Sequence, residues 1–126
     1  MTGETILVME DEGLIAIHLI QILEKAGYRV IGQAYSGEMV LRLLEKSPEP
    51  DLILMDIKLA GVLDGIETAW KIRQRFSVPL IFVTAHTSKH MLERMREVAP
   101  YGIIIKPFIQ EDLLALVAKA VVRPEA

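Results

Sequence analysis

Asp56 closes the apolar run Leu52-Ile53-Leu54-Met55 and opens a loop rich in Gly and Ala. A carboxylate at the end of a buried run is costly unless it meets a cation, a hydrogen-bond donor or solvent. The chain supplies partners in the same kind of place. Glu10, Asp11 and Glu12 follow Ile6-Leu7-Val8-Met9, Thr84 follows Leu80-Ile81-Phe82-Val83, and Lys106 follows Ile103-Ile104-Ile105. Carboxylates that meet near one point repel, which raises some of their pKa values, and a divalent cation relieves the repulsion. Hard oxygen donors of this kind suit Mg²⁺ (or Mn²⁺), which keeps several of its waters.

These residues work together only if the apolar runs are strands that end on one edge of a sheet. Strand-length runs do alternate with segments of helical period. Strands are expected at 5–9, 28–34, 51–56, 79–83 and 102–105. Helices are expected at 13–25, stopped by Gly27, and from a Ser36 cap to about 46, ended by Pro48-Glu49-Pro50. Three more follow at 65–75 with Asp64 as cap, from a Ser88 cap to about 98, and at 110–122 before Pro124. Five strand–helix units in succession imply an α/β fold, a parallel sheet covered by helices on both faces. Near-continuous apolar strands agree, since alternation is lost when both faces are covered. In such folds ligands bind beyond the carboxyl ends of the strands. Glu10, Asp11, Asp56, Thr84 and Lys106 all fall there.

A chain of 126 residues fits a single domain, 1–126 with a core at about 5–122. At 52% apolar residues it can build a full core. The net charge is −3 and no Lys/Arg run stands out, so no nucleic-acid surface is expected. Cysteine is absent, which removes thiol chemistry. The most apolar stretch, 14–23, is interrupted by His18 and Gln21 and is too short to span a bilayer. No signal peptide or membrane span is expected, and the expected location is cytoplasmic.

The acidic group Glu10-Asp11-Glu12, strand-end Asp56, the Asp64-Gly65 turn, Thr84-Ala85 and Lys106-Pro107-Phe108 occur in this order. In this the chain resembles the receiver domain of two-component response regulators, over about 5–122. The resemblance implies a doubly wound, flavodoxin-like (βα)5 fold with strand order 2-1-3-4-5. It implies Asp56 as phosphoacceptor, with Mg²⁺ held by Asp11, Asp56 and the Lys58 backbone carbonyl, and by Glu10 through water. Lys106 would pair with a phosphoryl oxygen, and Thr84 would give its hydroxyl to another once phosphate is present. The Lys106-Pro107 bond is expected to be cis. The implied donor is a histidine kinase or phosphotransfer protein, and the implied output is a protein partner or a fused effector domain. The activity expected is self-phosphorylation and slow autodephosphorylation, with no independent substrate.

Taken singly, these residues have plainer readings. The acids at 10–12 can favour a helix N-terminus, Asp56 can be a turn residue, and Lys106 a solvated charge. His86, near the expected phosphoryl position, also reads as an exposed loop histidine. Two features depart from the family pattern. Ile103 stands three positions before Lys106, where many receivers carry an aromatic residue, and Tyr101 lies two residues earlier still. The loop from Asp56 to Asp64 is one residue longer than is common and has Ala60-Gly61 where proline is frequent. The helix at 13–25 is apolar around most of its circumference, which implies a second contact, such as a homodimer or a kinase docking face. Two rival functions are an aspartate-nucleophile phosphatase, which wants an acid where Lys58 stands, and a phosphorylation-independent scaffold. A flavin-binding module is disfavoured, because 10–12 would repel phosphate.

Overall fold

A computed structural model of the chain describes residues 3–34, 36–46, 48–58, 64–85 and 88–122, with the side chain of Gln33 left aside. The elements run β1 (Thr5–Met9), α1 (Gly13–Lys25), β2 (Arg29–Ala34), α2 (Gly37–Lys46), β3 (Leu52–Met55), α3 (Gly65–Arg75), β4 (Leu80–Thr84), α4 (Lys89–Glu97), β5 (Gly102–Ile105) and α5 (Gln110–Ala120). The strands form one sheet in the order β2-β1-β3-β4-β5. Every pairing is parallel. The expected α/β class and strand order are both observed.

Side chains of each strand alternate between two cores. Leu7, Met9, Ile53, Met55, Leu80 and Phe82 pack toward residues of α2, α3 and α4. Ile6, Val8, Leu52, Leu54, Ile81 and Val83 pack toward α1 and α5. The helices are unequally anchored. In α3, Gly65, Ile66, Thr68, Ala69 and Ile72 are buried. In α4 only Met95 is.

Helix ends follow local chemistry. Asp64 caps α3 in a capping box, taking the Glu67 N–H while the Glu67 carboxylate takes the Asp64 N–H. Ser36 and Ser88 oxygens accept from Met39 and Met91 N–H groups, as their spacing predicts. Gly27, at φ 98°, ends α1. Tyr28 N–H then returns to the Leu23 carbonyl and Gly27 N–H to the Glu24 carbonyl, a Schellman arrangement. That return explains why β2 begins at Arg29 rather than at 28. The third strand is shorter than its apolar-plus-acid pattern predicts: Asp51 and Asp56 flank it. β4 extends to Thr84, which pairs with Ile105 of β5. The last helix ends at Ala120, two residues before the expected 122.

The surplus apolar residues of α1 are not all covered: Leu14 is 85% and Ile17 52% exposed. Trp70 and Tyr101 are about half exposed. Ile103 is half-buried and packs on the α2–α3–α4 core. No helix among the described residues is long and apolar enough to cross a membrane. The expectations for Ala60-Gly61, for His86 and for the tail from Pro124 lie outside the described residues.

Candidate functional site

The parallel register delivers the site. Met9 of β1 lies opposite Met55 of β3, so the next residues, Glu10 and Asp56, leave the sheet side by side. Each is anchored by its backbone before its side chain acts. Glu10 N–H bonds the Ala34 carbonyl at 3.2 Å, and Asp56 N–H bonds the Met9 carbonyl at 3.0 Å. Lys106 N–H bonds the Thr84 carbonyl at 2.9 Å, which fixes the start of the loop after β5. The following Lys106-Pro107 peptide bond is cis, as expected.

From that position the Lys106 ammonium bridges two acids. It lies 2.8 Å from Glu10 Oε1 and 3.1 Å from Asp56 Oδ2. Both carboxylates are almost sealed from water, Glu10 at 1% and Asp56 at 7% exposure. The second Glu10 oxygen accepts from Glu12 N–H at 3.3 Å, and Asp56 Oδ1 accepts from Lys58 N–H at 3.4 Å. Burial pushes the Glu10 carboxyl above the usual glutamate value, against the pull of the Lys106 hydrogen bond and charge. Burial also works against the Lys106 ammonium, but Glu10 and Asp56 outweigh it and hold its pKa above that of an ordinary lysine.

The structure therefore brings together Glu10, Asp56 and Lys106, and it sets buried Thr84 beside Lys106 at the end of β4. Asp11 follows Glu10, half-buried in the turn before α1. Lys58 is exposed, and its N–H, rather than its side chain, meets Asp56. Two acids, Glu10 and Asp56, share the single Lys106 ammonium here, and Asp11 follows Glu10 in the chain. Among the described residues no three acidic or histidine side chains form a complete metal cage. The donors that the sequence leads one to expect, the Asp11 and Asp56 carboxylates and the Lys58 carbonyl with water, are all oxygen. Oxygen donors of that kind suit Mg²⁺, which is usually held by one or two carboxylates and retains waters.

Three features escaped the sequence reading. Glu10 pairs directly with Lys106, a contact between residues 96 positions apart that no local pattern announces. Gly65 presses on the backbone just after β3: a Cβ there would come within 2.5 Å of the Ile57 Cα and closer still to the Asp56 carbonyl oxygen. Gly65 N–H also bonds the Ile57 carbonyl at 2.7 Å. The glycine beside the Asp64 cap was the available signal, though it did not say what it packs against. The third is Arg94 of α4, whose guanidinium lies 3.4 Å from Asp64 Oδ2. A surface arginine on a polar helix face carries no signal of that kind.

Comparison with known proteins agrees with this fold. The family model "Response regulator receiver domain" matches residues 6–118. The chain is 34% identical over 118 residues to the transcriptional regulatory protein PdtaR of Mycobacterium tuberculosis, covering 94% of this chain and 57% of that protein. It is 35% identical over 115 residues to the phyllosphere-induced regulator PhyR of Methylorubrum extorquens, covering 91% and 42%. The chain thus spans about half the length of these curated relatives. Among solved structures, the signal receiver domain of a modulated diguanylate cyclase from Desulfovibrio desulfuricans superposes with a TM-score of 0.86 at 34% identity, covering 93% of this chain and 92% of that one.

Proposed function

This chain belongs to the response-regulator receiver family, and from that premise we propose that Asp56 accepts a phosphoryl group and that the occupied carboxylate alters protein–protein contacts. The observation that carries the reading is the Lys106 ammonium held between the sealed carboxylates of Glu10 and Asp56. Phosphoryl transfer asks a protein for positioning and charge neutralisation more than for covalent help.

In this reading an Asp56 oxygen attacks phosphorus. The bond from phosphorus to the donor breaks, and the leaving group, the imidazole of a histidine kinase or phosphotransfer protein, keeps the electron pair. Lys106 is already within reach of Asp56 and pairs with a phosphoryl oxygen as charge accumulates. Glu10 holds Lys106 in place during the exchange. Asp11, Asp56 and the Lys58 carbonyl would hold Mg²⁺, with Glu10 reaching it through water, and the bound ion supplies neutralisation of phosphoryl charge. The Thr84 hydroxyl donates to a third phosphoryl oxygen, a bond available in one state only, and such a bond shifts a population. The surface affected is that around α4, β5 and α5. With Ile103 at the position many receivers give to an aromatic residue, the signal does not pass through a swinging phenol. The output partner, a separate protein or a further domain, is reached by those contacts, in the cytoplasm.

The test is incubation with Mg²⁺ and acetyl phosphate followed by intact-mass and peptide mass spectrometry. One phosphoryl group is expected on the wild type at Asp56, dependent on Mg²⁺, and none there on Asp56→Asn. Labelling elsewhere, or none where another receiver is labelled, removes the proposal.

A further inference from the structure

Among the described residues, Asp64 and Gly65 link Arg94 to the backbone of Asp56 and Ile57. Gly65 lies against the Asp56 carbonyl and the Ile57 Cα, and its N–H is tied to the Ile57 carbonyl. Asp64 divides its carboxylate. Oδ1 takes the Glu67 N–H at 2.8 Å to cap α3, and Oδ2 faces the Arg94 guanidinium at 3.4 Å. The same guanidinium lies 3.8 Å from the Met91 sulfur, which steadies it against its own helix. α4 is the element with most to gain from such a tie. It buries one residue, Met95, in the core where α3 buries Ile66, Ala69 and Ile72, and adds only the half-buried Met91 and Leu92. Elements with few buried apolar contacts are the ones that open or shift at low cost.

We propose that Arg94 is a positioning residue: through Asp64 and Gly65 it ties α4 to the backbone of Asp56, so that the state of Asp56 and the placement of α4 influence each other. The functional half rests on Asp56 being the phosphoacceptor. Coupling between two places is reciprocal, so a disturbance at either end must be felt at the other. The pair is about one-third exposed. A partly solvated ion pair is worth a fraction of a kcal/mol to about 1 kcal/mol, so its loss should change a local opening equilibrium about two- to fivefold.

Amide hydrogen exchange on the whole chain tests the tie, using wild type, Arg94→Gln, Arg94→Lys and Asp64→Asn. Asparagine caps helices as well as aspartate does, so Asp64→Asn removes the charge and keeps the cap. In the absence of phosphodonor, Arg94→Gln should speed exchange at Gly65, and Asp64→Asn should speed it at Leu92 of α4, each about two- to fivefold. Arg94→Lys should restore most of the protection. If Arg94→Gln loosens Leu92 and leaves Gly65 unchanged, Arg94 serves α4 alone and the proposal is overturned, whatever happens at Asp56. With Mg²⁺ and acetyl phosphate, labelled wild type should change exchange in α4, and equally labelled Arg94→Gln should show a smaller change. An equal change in both overturns the functional half. Failure of wild type to label overturns the phosphoacceptor reading and that half with it, and leaves the Gly65 and Leu92 result to decide the tie.

Discussion

Two aspartates flank β3, and they have opposite surroundings. Asp51, before the strand, meets neutral donors: its Oδ2 accepts from Thr5 N–H at 2.8 Å and Thr5 hydroxyl at 3.2 Å. Its own N–H returns to the Thr5 carbonyl at 2.8 Å. Asp56, after the strand, meets an ammonium that it shares with a second buried acid. The first arrangement closes a polar knot between β1 and β3 and aligns their ends. The second sets two buried carboxyl groups on one ammonium, in a place where added charge must be managed. One residue type, at the two ends of one four-residue strand, serves as a clasp at one end and, in the proposed reading, as a reactive group at the other. The donors decide which.

The largest effect expected from this contrast is chemical. Asp56→Asn should abolish labelling by acetyl phosphate at that position, while Asp51→Asn should be labelled at the wild-type level, both read by peptide mass spectrometry. Loss of labelling in Asp51→Asn at retained stability would erase the distinction between the two ends.

Next in size is a packing effect confined to the Asp56 end. Gly65→Ala places a Cβ on the Asp56 carbonyl oxygen and the Ile57 Cα, both backbone and neither free to swing away. Overpacking of this kind costs about 1–3 kcal/mol. Urea denaturation should show the loss, and labelling of Asp56 should slow as its backbone shifts. Asp51→Ala tests the other end. It strips the Thr5 N–H and hydroxyl of their acceptor, and unsatisfied, partly buried donors cost about 1–2 kcal/mol. That loss should appear in urea with labelling of Asp56 unaffected.

These two ends also show what the sequence can tell a reader. Four apolar runs, each closed by a polar residue, determine four of the strands, their burial on both faces and the edge where a site must lie. Caps at Asp64 and Ser88 and the stop at Gly27 were readable because one or two side chains settle them locally. Asp51 and Asp56 look alike in a one-dimensional pattern, each an acid beside Leu52-Ile53-Leu54-Met55. Their difference depends on Thr5 and Lys106, which reach them across 46 and 50 positions. The motif set singled out Asp56 and Lys106, but the direct Glu10–Lys106 contact requires knowing that β1 lies beside β3 in the register observed. The limits of β3 and α5 were set too wide for a related reason. A residue can continue a pattern, as Asp51 and Asp56 do beside the apolar run and Val121 and Val122 do on the apolar stripe, without extending the hydrogen-bonded ladder or helix.

The smallest effect separates the ends by pH. Lys106 has its pKa raised in the folded protein, burial opposing and Glu10 and Asp56 prevailing. Its contribution to stability is therefore fully present below the ordinary lysine value of 10.5 and is lost as pH climbs through the higher folded value. Glu10 is also raised, chiefly by burial. Its contribution is present below the ordinary value of 4.5 and fades as pH rises through its folded value, where a buried acid must ionise. Urea midpoints measured across pH should show both steps as differences from variants. Lys106→Met should lack the alkaline decline, and Glu10→Gln should lack the acid-side decline. Lys106→Met should in addition enlarge the Glu10 step, because the ammonium that pulls that carboxyl downward is gone. Asp51→Asn should leave the alkaline decline intact, since its Thr5 donors, an N–H and a hydroxyl, carry no titrating charge. An alkaline limb unchanged by Lys106→Met would mean that the ammonium is not held by its two acids as the distances require.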